Sequence, residues 1–219
     1  MERTLLITGR QSSLTDDLVQ EALARKFGVL ATYDPEGEEP EVPDGFGDDL
    51  VYIEWNRRSP ISARTVMLHA ENVADNLEEI YVVYTPEAVS GSFHETQASR
   101  IEEVVDRALK GYLFLLREAV SHALRRGGAG VNIVVQDSGS ELLPPLEAAV
   151  SGGFLAAARS LMTFYEEESV AVRGFHSPGA TEGREFARYI LDTVREKGEK
   201  AAGRWNKYGG RTSLFPFRK

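Results

Sequence analysis

The chain has no cysteine among its 219 residues, and this absence excludes disulfides, thiolate nucleophiles and cysteine-ligated metal sites. It also lacks any apolar run of the ~20 residues that a helix needs to cross a bilayer. Basic side chains are too few to balance the acidic ones, with 25 Lys and Arg against 34 Asp and Glu, so the net charge is −9. Such a chain repels phosphate backbones and anionic headgroups on average, and we expect neither nucleic acid nor a membrane as a partner.

The first residues lead directly into a short apolar run, without an extended hydrophobic segment or a small-residue cleavage site. We therefore expect a cytoplasmic protein. With 42% hydrophobic and 27% charged residues, the composition is that of a globular protein. The length suits one domain that spans residues 1–219.

Short β-prone runs alternate with segments of helical periodicity along the chain. Strands are predicted over 5–8, 29–33, 50–55, 80–84, 131–135 and 169–174. Helices are predicted over 14–27, 66–77, 96–126, 144–167 and 181–197. This alternation predicts an α/β protein with a Rossmann-like, doubly wound parallel sheet of six to seven strands and helices on both faces.

Two segments fall outside the alternation. Residues 34–49 carry eight acidic side chains and three prolines, a composition that excludes a regular helix and predicts a solvated loop. An acidic docking or cation-binding surface is the alternative interpretation of this loop. The C-terminal tail, 203–219, is rich in aromatic and turn residues, and we expect Trp205, Phe215 and Phe217 to be buried in the fold or at an interface.

Four phrases, in their order and spacing, resemble the short-chain dehydrogenase/reductase superfamily over most of the chain. They are Leu6-Ile7-Thr8-Gly9 at the first turn, Leu109-Lys110-Gly111 in the long helix, Gly130-Val131-Asn132-Ile133 in the fifth strand, and residues 154–161 in the next helix. The resemblance implies a Rossmann fold, nicotinamide chemistry, and oligomers formed through the long fourth helix and the helix after the fifth strand.

The family holds its dinucleotide through a glycine-rich first turn, and of this turn only Gly9 remains. The later glycine positions fall on Ser13 and Thr15, whose side chains occupy space that the phosphates need. We interpret the serines and threonine here as helix caps in preference to anion ligands. Gly9, Arg10 and Ser12 are the candidates for a weak nucleotide site, with Arg10 as the phosphate ligand.

The family reaction uses a Tyr, a Lys four positions later, a Ser and an Asn. By the resemblance, the Tyr and Lys positions fall on Ala148 and Gly152, the Ser position on Val135 and the Asn position near Ala108. No lysine of the chain follows a tyrosine by four positions, so the Tyr-x-x-x-Lys pattern is absent. We therefore predict no NAD(P) cofactor and no hydride transfer by the family mechanism.

A rebuilt site is the competing hypothesis. Residues 136–140 directly follow the fifth strand, at the edge where such folds place active sites. Asp137 and Ser138 there, with Glu147 and His176, offer carboxylates, a hydroxyl and an imidazole, although turn formation explains Asp137 and Ser138 equally well. The four histidines lack the spacing of a helical metal pair, and we expect no metal.

These observations predict a catalytically inactive relative of the reductases that acts as a structural or regulatory subunit. We expect a homodimer or homotetramer, or a pair with an active paralogue, because the small residues of 148–157 permit close helix approach. A nucleotide-binding sensor and an NAD(P)-dependent oxidoreductase with a rebuilt site remain the alternatives.

Overall fold

A sheet of seven parallel strands forms the centre of the molecule. The structure, a computed structural model, describes residues 3–9, 12–37, 39–43, 45–47, 49–86, 88–89, 91–137, 142–177 and 182–209. Within these ranges the strand order is β3-β2-β1-β4-β5-β6-β7. The strands are β1 (Thr4–Gly9), β2 (Gly28–Tyr33), β3 (Leu50–Glu54), β4 (Leu77–Tyr84), β5 (Gly130–Gln136), β6 (Val172–Ser177) and β7 (Trp205–Lys207).

The helices cover both faces of this sheet. They are α1 (Ser13–Ala24), α2 (Pro60–Val73), α3 (Ala98–Val105), α4 (Gly111–Arg126), α5 (Pro145–Phe164) and α6 (Gly183–Lys197). One core lies beneath α1 and α6, and the other lies beneath α2, α4 and α5. The predicted Rossmann-like, doubly wound sheet is thus confirmed. In the part of the chain that the structure describes, no helix is both long and apolar enough to cross a bilayer.

Strand β1 shows why the strands are nearly continuous apolar runs. Leu6 packs into the core beneath α2, α4 and α5, whereas Leu5 and Ile7 pack into the core beneath α1 and α6. Successive side chains of a strand point to opposite faces, so a strand between two helical layers needs apolar residues at every position. All six residues of β1 are accordingly buried.

The direction of the strand order changes between β1 and β4. β1 pairs with β2 on one side and with β4 on the other, so the chain crosses from the β3 edge to reach β4. In open α/β sheets this switch leaves a crevice outside the carboxyl ends of the strands. Gly9 ends β1 at the crevice, where an added Cβ would lie 2.6 Å from the carbonyl oxygen of Val83. The close approach of the two strands therefore requires glycine at this position.

Helix α2 begins six residues earlier than predicted and ends four residues earlier. The Ser59 side chain accepts a hydrogen bond from the backbone N–H of Ser62 at 3.2 Å, and Pro60 takes the first helical position. Leu77, predicted as the end of this helix, opens β4 instead. The helix start is thus set by its capping residues, which lie outside the apolar repeat.

Strand β6 lies three residues later than its predicted range of 169–174. Its position is fixed by parallel pairing with β5, in which Val131 is opposite Val172 and Gln136 is opposite Ser177. Beyond it, β7 pairs with β6 and includes Trp205, which is partly buried. Phe215 and Phe217 lie outside the described residues.

The predicted helix 96–126 is divided by a π-helical segment, Asp106–Lys110, between α3 and α4. Gly111 follows it and lies so close to the backbone of Arg57 that an added Cβ would overlap the Arg57 carbonyl oxygen. A π-helical turn shifts the register of the side chains that follow it, and such turns occur frequently near functional sites. This segment carries Ala108 and Arg107.

Phe154 joins α5 to the sheet through an aromatic cluster. Its ring stacks on Tyr84 with centroids 4.0 Å apart and meets the Tyr112 ring edge-on at 5.5 Å. We expect Phe154→Ala to lower the free energy of unfolding by about 3–5 kcal/mol, because a fully buried ring leaves a cavity. Phe164→Ala is the control, since Phe164 in the same helix is 73% exposed and its loss should cost less than about 0.5 kcal/mol. Equal costs in urea titrations would contradict this packing.

Candidate functional site

A cavity of about 230 Å³ lies at the carboxyl ends of β4 and β5, and we call it the carboxyl-edge cavity. It is lined by Ser12, Ser13, Leu14, Thr85, Pro86, Ala88, Gln136, Asp137 and Glu147. Larger cavities, of about 370 and 250 Å³, lie at the amino edge of the sheet, and one of about 490 Å³ lies between α4 and α5. We take the carboxyl-edge cavity as the candidate site because polar side chains converge on it at the switch in strand order.

Ser12 caps α1 at one wall of this cavity. Its hydroxyl oxygen accepts a hydrogen bond from the Thr15 backbone N–H at 3.3 Å and lies 2.9 Å from the Thr15 hydroxyl oxygen. The Thr85 hydroxyl donates to the same oxygen at 3.3 Å. The predicted helix cap is therefore confirmed, and the Ser12 hydroxyl is engaged within the protein. Arg10, the predicted phosphate ligand, lies outside the described residues.

Two carboxylates follow at the beginning of α1, where the backbone N–H groups of a helix favour negative charge. Burial raises the pKa of Asp16, and neighbouring Asp17 raises it further. Burial also raises the pKa of Asp17, against the opposing effect of the Arg184 guanidinium. A phosphate group is stabilised at a helix N-terminus by the same field. Here Asp16, in the first turn of α1, already lies within that field, whereas Asp17 lies near the Arg184 guanidinium.

At the end of β2, the Asp34 cluster consists of Asp34, Glu36, Arg57 and Arg107. The Oδ2 atom of Asp34 accepts hydrogen bonds from Nη2 of Arg57 at 2.8 Å and from Nη2 of Arg107 at 3.0 Å. Arg107 also binds Glu36, with 2.7 Å between Nη1 and Oε2. The first residues of the acidic loop are therefore ion-paired to the π-helical segment, although the sequence predicts a solvated loop here.

The pairing changes what Asp34 offers to a ligand. Dinucleotide-binding folds use an acidic residue in this region to hold the ribose hydroxyls. Burial raises the pKa of Asp34, but the hydrogen bond and charge of Arg57, the Glu36 backbone N–H and the charge of Arg107 outweigh it, and the pKa is lowered overall. Asp34 is thus an ionised carboxylate that two guanidinium groups already bind.

Helix α5 turns Glu147 and Ser151 inward. Both are 7% exposed, and their spacing of four residues puts them on one face of the helix. Glu147 lines the carboxyl-edge cavity, whereas the Ser151 hydroxyl has no hydrogen-bond partner among the described residues. Ala148 and Gly152, the positions that the resemblance assigns to Tyr and Lys, are exposed.

The other two positions taken from the resemblance are buried without polar groups. Ala108 is 1% exposed and packs among Val104, Leu146 and Val150. Val135 is 2% exposed and contributes to the core beneath α2, α4 and α5. None of the four positions therefore places an acid, a base or a hydrogen-bond donor side chain at the cavity.

Asp137 and His176 meet at the ends of β5 and β6. The His176 Nε2 atom lies 2.9 Å from Oδ2 of Asp137, close enough for an ion pair with a protonated imidazole, but the ring N–H is not aimed at that oxygen. The Asp137 side chain is 46% exposed. Ser138 lies outside the described residues. Among the residues that the structure does describe, no group of three or more His, Asp or Glu side chains is arranged to hold a metal ion.

Solved structures share this fold, whereas no protein-family model matches the chain and no curated protein matches its sequence. ElxO, whose structure has NADP bound, is 11% identical with a TM-score of 0.79, over 94% of this chain and 97% of ElxO. A short chain dehydrogenase from Bacillus anthracis is 13% identical with a TM-score of 0.77, over 99% of this chain and 98% of that protein. The fold is thus that of the short-chain dehydrogenases.

We expect Asp34→Asn to lower the free energy of unfolding near neutral pH by about 2–4 kcal/mol, because Arg57, 3% exposed, loses its carboxylate. Asp106→Asn is the control, since the Asp106–Lys110 pair is exposed and contributes about 0.5 kcal/mol or less. The pKa of Asp34 is lowered by folding, so its contribution is present above about pH 4 and is lost as the pH falls through the folded-state value.

Urea titrations at a series of pH values measure both effects. The difference between wild type and Asp34→Asn should shrink in acid, whereas a constant difference would show that the charge of Asp34 is not what stabilises this cluster.

Proposed function

We propose that this chain is a divergent short-chain dehydrogenase/reductase-like protein that does not transfer hydride and acts as a structural or regulatory subunit of an oligomer. The observation that carries the proposal is the inward face of α5, where Glu147 lines the cavity and Ser151 is buried, since the family mechanism needs a Tyr and a Lys on this helix. A carboxylate cannot supply the proton that a neutral phenol supplies, and a serine carries no charge to lower a phenol pKa.

An NAD(P) cofactor does not fit the described residues of the crevice. Asp16 places negative charge in the first turn of α1, where a pyrophosphate would lie. Asp34 is bound by Arg57 and Arg107 through Oδ2, so a ribose hydroxyl would meet a carboxylate that is already ion-paired. Both features oppose dinucleotide binding, and they argue against the nucleotide-sensor alternative as well. We derive no step through this cofactor.

The oligomer proposal is supported by an apolar groove of about 490 Å³ between α4 and α5. It is lined mainly by Leu113, Leu116, Val120, Leu124, Ala157 and Leu161. Leu113 and Leu124 are 37% and 38% exposed, and together they leave apolar surface uncovered in the single chain. A second copy of this chain related by a two-fold axis would cover the groove of each subunit with the same helices.

The oxidoreductase alternative keeps one supporting observation. Glu147 is buried and Asp137 and His176 adjoin each other at the same edge of the sheet, so acid–base groups are present. Their roles would differ from those of the family residues, because the chain has no Tyr-x-x-x-Lys pattern.

We expect the purified protein to consume no NADPH above the blank when it is mixed with a panel of short-chain aldehydes and ketones. The reason is the absence of a positioned phenol and lysine at the cavity. Nicotinamide absorbance measures this directly, with an active reductase assayed in parallel. Turnover that Glu147→Gln abolishes would contradict the proposal and support a rebuilt active site.

We expect Leu113→Glu to weaken self-association by more than about tenfold, because it places a charge in the apolar groove. Ile61→Glu is the control, since Ile61 is 75% exposed on α2, away from the groove. Light scattering after gel filtration measures the mass of each protein. A wild-type monomer, or equal masses for both variants, would contradict a homo-oligomer formed through α4 and α5.

A further inference from the structure

The larger cavity at the amino edge of the sheet lies on the face that α1 and α6 cover, and we call it the α6 cavity. Its volume is about 370 Å³. Leu5, Phe27, Leu191 and Val194 form apolar walls, and each belongs to or packs against the core beneath α1 and α6. Sites for small molecules are concave and mostly apolar, with a few polar groups that orient the ligand. The α6 cavity has the walls of such a site.

Tyr81 brings a hydroxyl group to this cavity from β4. The residue is 1% exposed, and its hydroxyl forms no hydrogen bond with any described residue. Burial raises the pKa of Tyr81 well above its ordinary value and the charge of Glu79 raises it further, against the charges of Arg173 and Arg25. The phenol is therefore neutral, and its hydroxyl can donate one hydrogen bond and accept another. A polar ligand in the cavity would meet a hydroxyl that the protein leaves unbound.

Glu79 lies two residues earlier in β4, so its side chain points to the same face of the sheet. Its Oε2 atom accepts hydrogen bonds from Nδ2 of Asn132 at 2.7 Å and from Nη1 of Arg173 at 2.8 Å. Gly130 leaves room for this pair, since an added Cβ would overlap both Oε2 of Glu79 and Nη1 of Arg173. Oε1 accepts no hydrogen bond from the residues that the structure describes. Glu79 thus offers the cavity an acceptor whose charge Arg173 already compensates.

Three guanidinium groups lie around the cavity, and each is bound by a carboxylate of the protein. Nε of Arg3 is 2.7 Å from Oε1 of Glu78. Nη1 of Arg25 and Nη2 of Arg195 lie 2.9 and 3.1 Å from Oδ1 of Asp192. An anionic ligand would have to compete with these ion pairs, and a cationic ligand would meet the same arginines at close range. The cavity therefore favours a neutral molecule.

We propose that the α6 cavity binds a small neutral phenol. The hydroxyl of the ligand donates a hydrogen bond to Oε1 of Glu79 and accepts one from the Tyr81 hydroxyl. The bond to the carboxylate is charge-assisted and therefore strong. The ring of the ligand packs against Phe27 and the aliphatic walls, where an aromatic pair adds to the burial of apolar surface. The site lies at the opposite edge of the sheet from the carboxyl-edge cavity, so the inference goes beyond the proposed subunit role and does not depend on it.

The probe is para-cresol, which is neutral at neutral pH because a phenol loses its proton only near about pH 10. Isothermal titration calorimetry with the full chain measures its Kd. The methyl ether of para-cresol lacks the O–H donor, benzoate is the matched anion and benzylamine is the matched cation. We expect saturable binding of para-cresol, at least about tenfold weaker binding of the ether, and no binding of either ion.

Variants assign the binding to this cavity. Tyr81→Phe removes the hydroxyl and keeps the ring, so it should weaken para-cresol binding by about three- to tenfold. Tyr189→Phe is the matched control and should leave the binding unchanged, since Tyr189 lies in α6 but packs on Tyr208, away from the cavity. Val194→Phe places a ring in the cavity and should abolish the binding. The Tm of each variant without ligand shows that it is folded.

Any of three results would overturn the proposal. The first is that the wild-type protein does not bind para-cresol with a Kd below about 1 mM. The second is equal affinity for the methyl ether or for benzoate, since the donated hydrogen bond would then not decide the binding. The third is binding that Tyr81→Phe and Val194→Phe both retain, which would place the ligand elsewhere, for example in the apolar groove between α4 and α5.

Discussion

The parallel pairing of β1 with β4 is the constraint on which the rest of this structure depends. The strands on the two sides of this pair are reached by crossovers on opposite faces, so both faces of the sheet are covered by helices. The carboxyl edge of the sheet opens into a crevice at the same pair. Gly9 permits the close approach of the two strands, and α1 begins directly above them. Every candidate group of the site, from Ser12 to Glu147, is carried to this edge by the end of a strand or the beginning of a helix.

We propose that the electrostatics of the crevice separate this chain from a dinucleotide-binding protein of the same fold. Asp16 lies where a helix N-terminus attracts phosphate, and Glu147 lies where α5 meets the cavity. The arginines nearest to the end of β2 are bound by Asp34 and hold the acidic loop against the π-helical segment. The positive charge of these arginines is therefore engaged in internal ion pairs. The described lining of the cavity carries carboxylates and hydroxyls.

The sequence predicts the sheet and its helices well, because strands such as β1 and β5 must be apolar at nearly every position when both faces are buried. It predicts the site less well. The stretch 148–157 is rich in small residues and has little periodicity. Its inward face is therefore easily placed one residue too late, at Ala148 and Gly152 instead of at Glu147 and Ser151. The ion pairs of Asp34 join residues 23 and 73 positions away, and no local pattern indicates them. The π-helical segment is likewise hidden, because its apolar spacing resembles that of an α-helix.

The central claim is that the crevice has kept its shape and lost its affinity for dinucleotides. The most direct test is a thermal melt of the wild-type protein with NAD, NADH, NADP and NADPH at about millimolar concentration, since binding to the native state alone must raise the Tm. We predict no change in Tm with any of the four. A saturable rise with one of them would show that the acids at the beginning of α1 and the paired Asp34 do not exclude the cofactor, and would contradict the account.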